Sequence, residues 1–208
     1  MLSSIFALGL LPLAAQAVPT PDAPGVPSSS FQLYAYGEGF GGLSVFYWNG
    51  LAYLGDASLA NDTEAAAVLC KSSSDSTSMV GIPVTTPGQA TPSWSGVTYY
   101  IPSDTATTHQ TGFVSGEATT EDLTTGFVFY GNTAAWATSS GKLQTKWFAT
   151  PYENTNIWLL NWDPSTDSSD NKVQVTLRSV TPSTPPPNPP GPGNPGRSTD
   201  SQKPHPAS

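Results

Sequence analysis

Cysteine is nearly absent from this chain of 208 residues; Cys70 is the only one. A lone cysteine can form no internal disulfide, so the fold must be held by its core. Cys70 closes the apolar run 65–69 and reads as a small buried residue rather than a reactive or intermolecularly paired thiol. Histidine is equally scarce, with 2 in the chain. His109 alone precedes the C-terminal segment, in the polar stretch Thr107-Thr108-His109-Gln110-Thr111. A Ser-His-Asp triad would have to be built on it, and no Gly-x-Ser-x-Gly elbow accompanies it. With so few His and Cys there is no ligand spacing for zinc. The stretch Asp163 to Asp170 is rich in oxygen ligands but lacks the Gly and terminal Glu of an EF-hand, and reads as a polar turn. No catalytic residue, metal ligand or cofactor motif is assigned.

Charge is also sparse. Charged residues make up 11% of the chain, with 15 acidic against 7 basic. Ser, Thr, Gly, Asn and Pro take their place, so solubility rests on hydroxyls and amides. An acidic chain without a basic patch is a poor partner for nucleic acid or an anionic membrane surface. No segment has the length of continuous apolar sequence that a membrane-spanning helix needs.

One short apolar run does occur, at the start. Residues 4–13 are almost wholly apolar and uncharged, and Ala15-Gln16-Ala17 follows as a small-x-small cleavage site. This is the pattern of a secretory signal peptide over residues 1–17, cut after Ala17. Its n-region departs from the pattern in having no Lys or Arg. Residues 18–30 form a Pro/Ser-rich lead-in, and residues 184–208 a Pro-rich tail too poor in apolar residues to fold. The domain is expected between them, over residues 31–183.

Within it, short runs rich in β-branched and aromatic residues alternate with turn signals. Runs at 31–36, 43–48, 51–54, 97–101, 126–130, 134–137, 143–149, 157–162 and 173–180 read as strands. Weaker strands are expected near 66–70, 81–84 and 112–114, and a short helix is a weak option over 57–69. Asn49-Gly50 joins two of the runs, and both residues accept the positive φ of a type I′ hairpin turn. The expected fold is all-β, an antiparallel sandwich or barrel of about 8–12 short strands. A β-trefoil is the alternative, since residues 42–55 have a loose echo in 131–144.

The runs Phe31-Gln-Leu-Tyr-Ala-Tyr-Gly37, Gly41-Gly-Leu-Ser-Val-Phe-Tyr47, Gly50-Leu-Ala-Tyr-Leu-Gly55, Ile157-Trp-Leu-Leu-Asn-Trp162 and Val175-Thr-Leu-Arg-Ser-Val-Thr-Pro-Ser183 resemble a group of small secreted proteins of filamentous ascomycete fungi, whose function is uncharacterised. The resemblance covers the domain and implies a fungal source, a secretory route and a β-rich fold. It implies no catalytic residue.

Candidate chemistry then rests on carboxylates and rings. Glycoside hydrolysis needs two carboxyl groups across a cleft, and Glu38, Asp56, Glu117, Glu121, Asp122 and Glu153 are available, though spacing alone pairs none of them. Aromatics are more telling, with 6 Trp, 8 Tyr and 8 Phe. Such rings stack on the C–H faces of sugars, but they also fill β-sheet cores. Trp48 and Tyr53 lie near the first hairpin. Trp94, in the loop Pro92-Ser-Trp-Ser-Gly96, is the candidate most expected to be exposed. Asn61-Asp62-Thr63 is an N-glycosylation sequon. The expectation is a secreted, non-enzymatic extracellular or cell-wall-associated glycoprotein binding polysaccharide through Trp94, Trp48 and Tyr53. The alternative is a small hydrolase using a carboxylate pair.

Overall fold

Ring-rich runs separated by Gly, Asn and Ser become paired strands in the computed structural model, which describes residues 25–183 apart from Gln89 and Asn154. The expected signal peptide, the start of the lead-in and the Pro-rich tail lie outside the described residues. Among those residues there are fourteen strands. In chain order they are β1 (Tyr34–Gly37), β2 (Phe40–Trp48), β3 (Leu51–Leu54), β4 (Ala66–Ser72), β5 (Met79–Pro83), β6 (Val97–Pro102) and β7 (Gly112–Val114), followed by β8 (Asp122–Leu123), β9 (Phe127–Tyr130), β10 (Thr133–Ala137), β11 (Leu143–Gln144), β12 (Trp147–Pro151), β13 (Trp158–Trp162) and β14 (Val173–Arg178).

Ten of them close a ring in the order β1-β2-β4-β5-β6-β7-β3-β13-β12-β14, with β14 pairing back onto β1. Every pairing is antiparallel, so of the expected architectures the chain adopts the barrel. Strands β9 to β11 extend from β14, and β8 lies on β6. The β2–β3 hairpin turns through Asn49 at φ 50° and Gly50 at φ 83°, both positive as a type I′ turn requires.

Alternation along each strand sends one set of side chains inward. Val45, Leu54, Val68, Tyr99, Trp147, Leu160 and Leu177 are among those that fill the interior. The largest fully buried side chain is satisfied internally, because Trp147 Nε1–H donates to the Tyr99 hydroxyl at 3.0 Å. Cys70 belongs to this core as a free thiol. Its backbone forms a two-way bridge with Phe31, at 2.7 and 2.8 Å.

Three expectations need correction. Residues 57–69 are not a helix: a single 3-10 turn spans Ala57–Ala60, and strand β4 begins at Ala66. Its inward residues Ala66, Val68 and Cys70 follow a period of two, which the small Ala side chains masked. The run 143–149 is two strands, broken at Thr145 and Lys146, where the Lys146 ammonium turns out to Asp163 at 2.6 Å. The end of the lead-in is not a loose spacer. Val26 is buried, and its amide donates to the Ser76 carbonyl at 2.8 Å.

Candidate functional site

The β2–β3 hairpin positions the most distinctive surface feature. Val45, Ala52 and Leu54 point into the barrel, so Phe46, Leu51 and Tyr53 must point out. Phe46 and Tyr53 are register partners and stack at 5.5 Å between ring centroids. Trp48 lies 5.3 Å from Tyr53, and Tyr152 meets both edge-on at 5.5 Å. Outward-facing rings on a barrel would ordinarily be wet. Here Phe46 is fully buried, because Ile157 and the segment 55–65 cover it and form a second, outer core.

That covering segment is built from local polar caps. Asp56 accepts from the Ser58 amide at 3.0 Å and opens the 3-10 turn. Asn61 closes it in the left-handed conformation, at φ 52° and ψ 33°. Asp62 then ties the segment to the rings. Its Oδ1 accepts from the Glu64 amide at 2.9 Å, and its Oδ2 from the Trp48 indole N–H at 3.0 Å. The Glu64 amide first, and then the Trp48 indole, hold the Asp62 carboxyl below the usual carboxylate range. Burial, then the neighbouring Tyr152 and Glu153, push the Tyr53 phenol up.

Beside this cluster opens a cleft of about 740 Å³, within the range of about 300–1,000 Å³ typical of small-molecule sites. Its lining takes Asp56, Asn61, Asp62 and Thr63 from the covering segment, and Val84, Thr85 and Thr86 from the segment after β5. It is small and apolar at Ala65 and Ala67. Hydroxyls are plentiful in the lining, and among the described residues no Lys or Arg contributes to it. Asp62 belongs to the lining and also holds Trp48, so rings and cleft are one continuous surface.

Trp48 and Tyr53, two of the candidate rings, are brought together, but unequally. Tyr53 is 5% exposed and supports the cluster from beneath, whereas Trp48 and Tyr152 are half-buried and present surface. Tyr152 was missed because it follows Tyr53 by about a hundred residues and joins it only through the β3–β13–β12 pairing. Trp94 corrects the expectation most sharply. It is 8% exposed, stacks against Tyr47 at 4.2 Å and donates its indole N–H to the Glu64 carbonyl at 2.8 Å. The Ser93 amide and hydroxyl both bind the Glu64 carboxylate, at 2.9 and 2.8 Å, and draw the loop onto the barrel. Among the described residues the most exposed ring is instead Tyr130, 78% accessible on the β9–β10 hairpin.

His109, Asp122, Asp163 and Asp167 have local partners. Nδ1–H of His109 donates to the Trp162 carbonyl at 3.0 Å, and Nε2 pairs with the Thr166 hydroxyl at 3.2 Å. Asp122 accepts from the Thr119 amide and hydroxyl. Asp163 and Asp167 pair with Lys146 and Lys172. Among the described residues no three His, Cys, Asp or Glu side chains are grouped to hold a metal ion. No described helix is long and apolar enough to cross a membrane. Compared with known protein families, with curated proteins and with solved structures, the chain matches none.

Proposed function

We propose that this chain is an exported, non-enzymatic glycoprotein, released or held in the cell wall. It binds neutral polysaccharide over the Trp48–Tyr152 face, at the edge of the adjoining cleft. Export rests on the leader ending at Ala17 and accords with the resemblance to small secreted fungal proteins. The observation that carries the binding reading is the continuity through Asp62 of half-exposed rings with a hydroxyl-lined cleft. Rings take the C–H faces of a sugar, and hydroxyls and carboxylates take its O–H groups. Among the described residues the lining has no Lys or Arg to offer an anionic ligand.

A hydrolase would place a general acid here, with its carboxyl raised so that it stays protonated. Asp56 and Asp62 both line the cleft, but each accepts an amide N–H from its own loop. Asp62 is shifted down, the wrong direction for a proton donor. This favours binding over hydrolysis.

The test is titration of the leader-free protein with soluble β-glucan, chitin oligomers and mannan, followed by tryptophan fluorescence. Binding is expected to one of them, and to be lost in folded Trp48→Ala and Tyr152→Ala. Failure to bind any, or unchanged binding by both variants, would sink the reading. Release of reducing ends that disappears in Asp62→Asn would replace it with the hydrolase.

A further inference from the structure

The sequon occupies a telling place. Asn61 is exposed, and both it and Thr63 line the cleft. The left-handed backbone at Asn61 turns the chain sharply at the end of the 3-10 turn, between the two carboxylates Asp56 and Asp62. Each carboxylate accepts an amide N–H of the covering segment, and Asp62 also accepts the Trp48 indole N–H of β2. The lining also includes Thr85 and Thr86, with their hydroxyls, and the small apolar Ala65 and Ala67. A polar neutral group with apolar C–H faces fits this lining, and one tethered at Asn61 would start on its edge.

We infer that the cleft is the seat of the protein's own glycan: Asn61 is N-glycosylated, and the first two sugars of the glycan lie in the cleft, against Thr85 and Thr86. In the covalent step the Asn61 Nδ2 attacks the anomeric carbon of the first N-acetylglucosamine of a lipid-diphosphate-linked oligosaccharide. The C–N bond forms as the bond from that carbon to the diphosphate oxygen breaks. The Nδ2 proton is lost and the lipid diphosphate leaves. No oxidant or reductant is needed. A tethered sugar enters such a site with little further loss of translational freedom, which gives it an advantage over any free saccharide. The inference rests on the reading above only for what it leaves to a free ligand: polysaccharide contact then centres on Trp48 and Tyr152.

The experiment uses the full chain made in a eukaryotic secretory host. The glycosylated protein, an endoglycosidase-trimmed form keeping one N-acetylglucosamine, and the unglycosylated variants Asn61→Gln and Thr63→Ala are compared by hydrogen exchange. Glycopeptide mass spectrometry is expected to find Asn61 occupied. In the glycosylated and trimmed forms, amides of both lining segments, around 57–66 and around 84–86, are expected to exchange about ten-fold more slowly than in either variant. An unmodified Asn61, or protection confined to 57–66, overturns the inference. Polysaccharide titration of the same four forms separates the two readings. If none binds while both segments are protected, the function proposed above falls and the glycan seat stands.

Discussion

Replacing Trp94 decides whether that ring serves a ligand or the fold. The side chain is 8% exposed, packs on Tyr47 at 4.2 Å and satisfies the Glu64 carbonyl at 2.8 Å. Truncating a buried aromatic ring to Ala removes its transfer free energy and leaves a cavity, together costing about 3–5 kcal/mol. At the lower end of that range the melting temperature falls by about 6–12 °C for a domain of this size. With a urea slope of about 1.5–2 kcal/mol/M, the midpoint moves down by about 2 M. Trp94→Phe isolates the polar part. It keeps a ring against Tyr47 but leaves the Glu64 carbonyl without its donor, a loss of about 1–3 kcal/mol. The order of stability is therefore wild type, Trp94→Phe, Trp94→Ala. The assay is urea denaturation followed by circular dichroism, beside polysaccharide titration of Trp94→Phe. If Trp94→Ala unfolds within about 0.5 kcal/mol of wild type, as surface substitutions do, the ring is not part of the core and the reasoning fails. If Trp94→Phe stays folded yet loses binding, Trp94 rather than Trp48 reaches the ligand.

Two further outcomes test the interior. Burial pushes the Cys70 thiol up to about 12, from an ordinary value of 9.0. The folded state thus prefers the protonated thiol, and its contribution to stability is full below pH 9 and lost as pH rises from there toward 12. The fall should approach about 1.4 kcal/mol per pH unit and be shallower in Cys70→Ala, with the raised Tyr99 phenol adding a further loss of the same sign; an equal slope in both proteins refutes this. A disulfide reagent at pH 8 should label Cys70 only in denaturant. Gly112 sits where a Cβ would meet the Gly50 carbonyl oxygen and, at 2.7 Å, the Tyr100 hydroxyl. Gly112→Ala should therefore cost about 1–3 kcal/mol by overpacking the β3–β7 contact, read as a lower melting temperature; no change would show that the contact yields freely.

What the residues disclosed in advance follows from the range of the forces involved. The Asn49-Gly50 turn is a local matter of φ, and β3 falls at 51–54 as read. The all-β class was legible for the same reason, since alternation needs only neighbours along the chain. The choice between sandwich and barrel was not, because closure depends on β1 meeting β14 across some 140 residues. The site shows the same division. Trp48 and Tyr53 share a hairpin and were seen together, whereas Tyr152 reaches them through two intervening pairings. Trp94 was misjudged because its burial depends on Glu64, thirty residues earlier, and an unpatterned loop gives no sign of what it lies upon. The cleft had no linear signature. Only the sequon marked its edge.

The pairing of β1 with β14 also orders events in time. Tyr34 faces Arg178 and Gly37 faces Val175, so the first strand of the barrel has its second neighbour only when the last has been made. Until then β1 and β12 each lack a partner, and the hydrophobic interior has an open side. Contacts this distant in sequence also slow folding. A growing chain cannot seal itself early, and so remains threadable until nearly all of the domain has been synthesised.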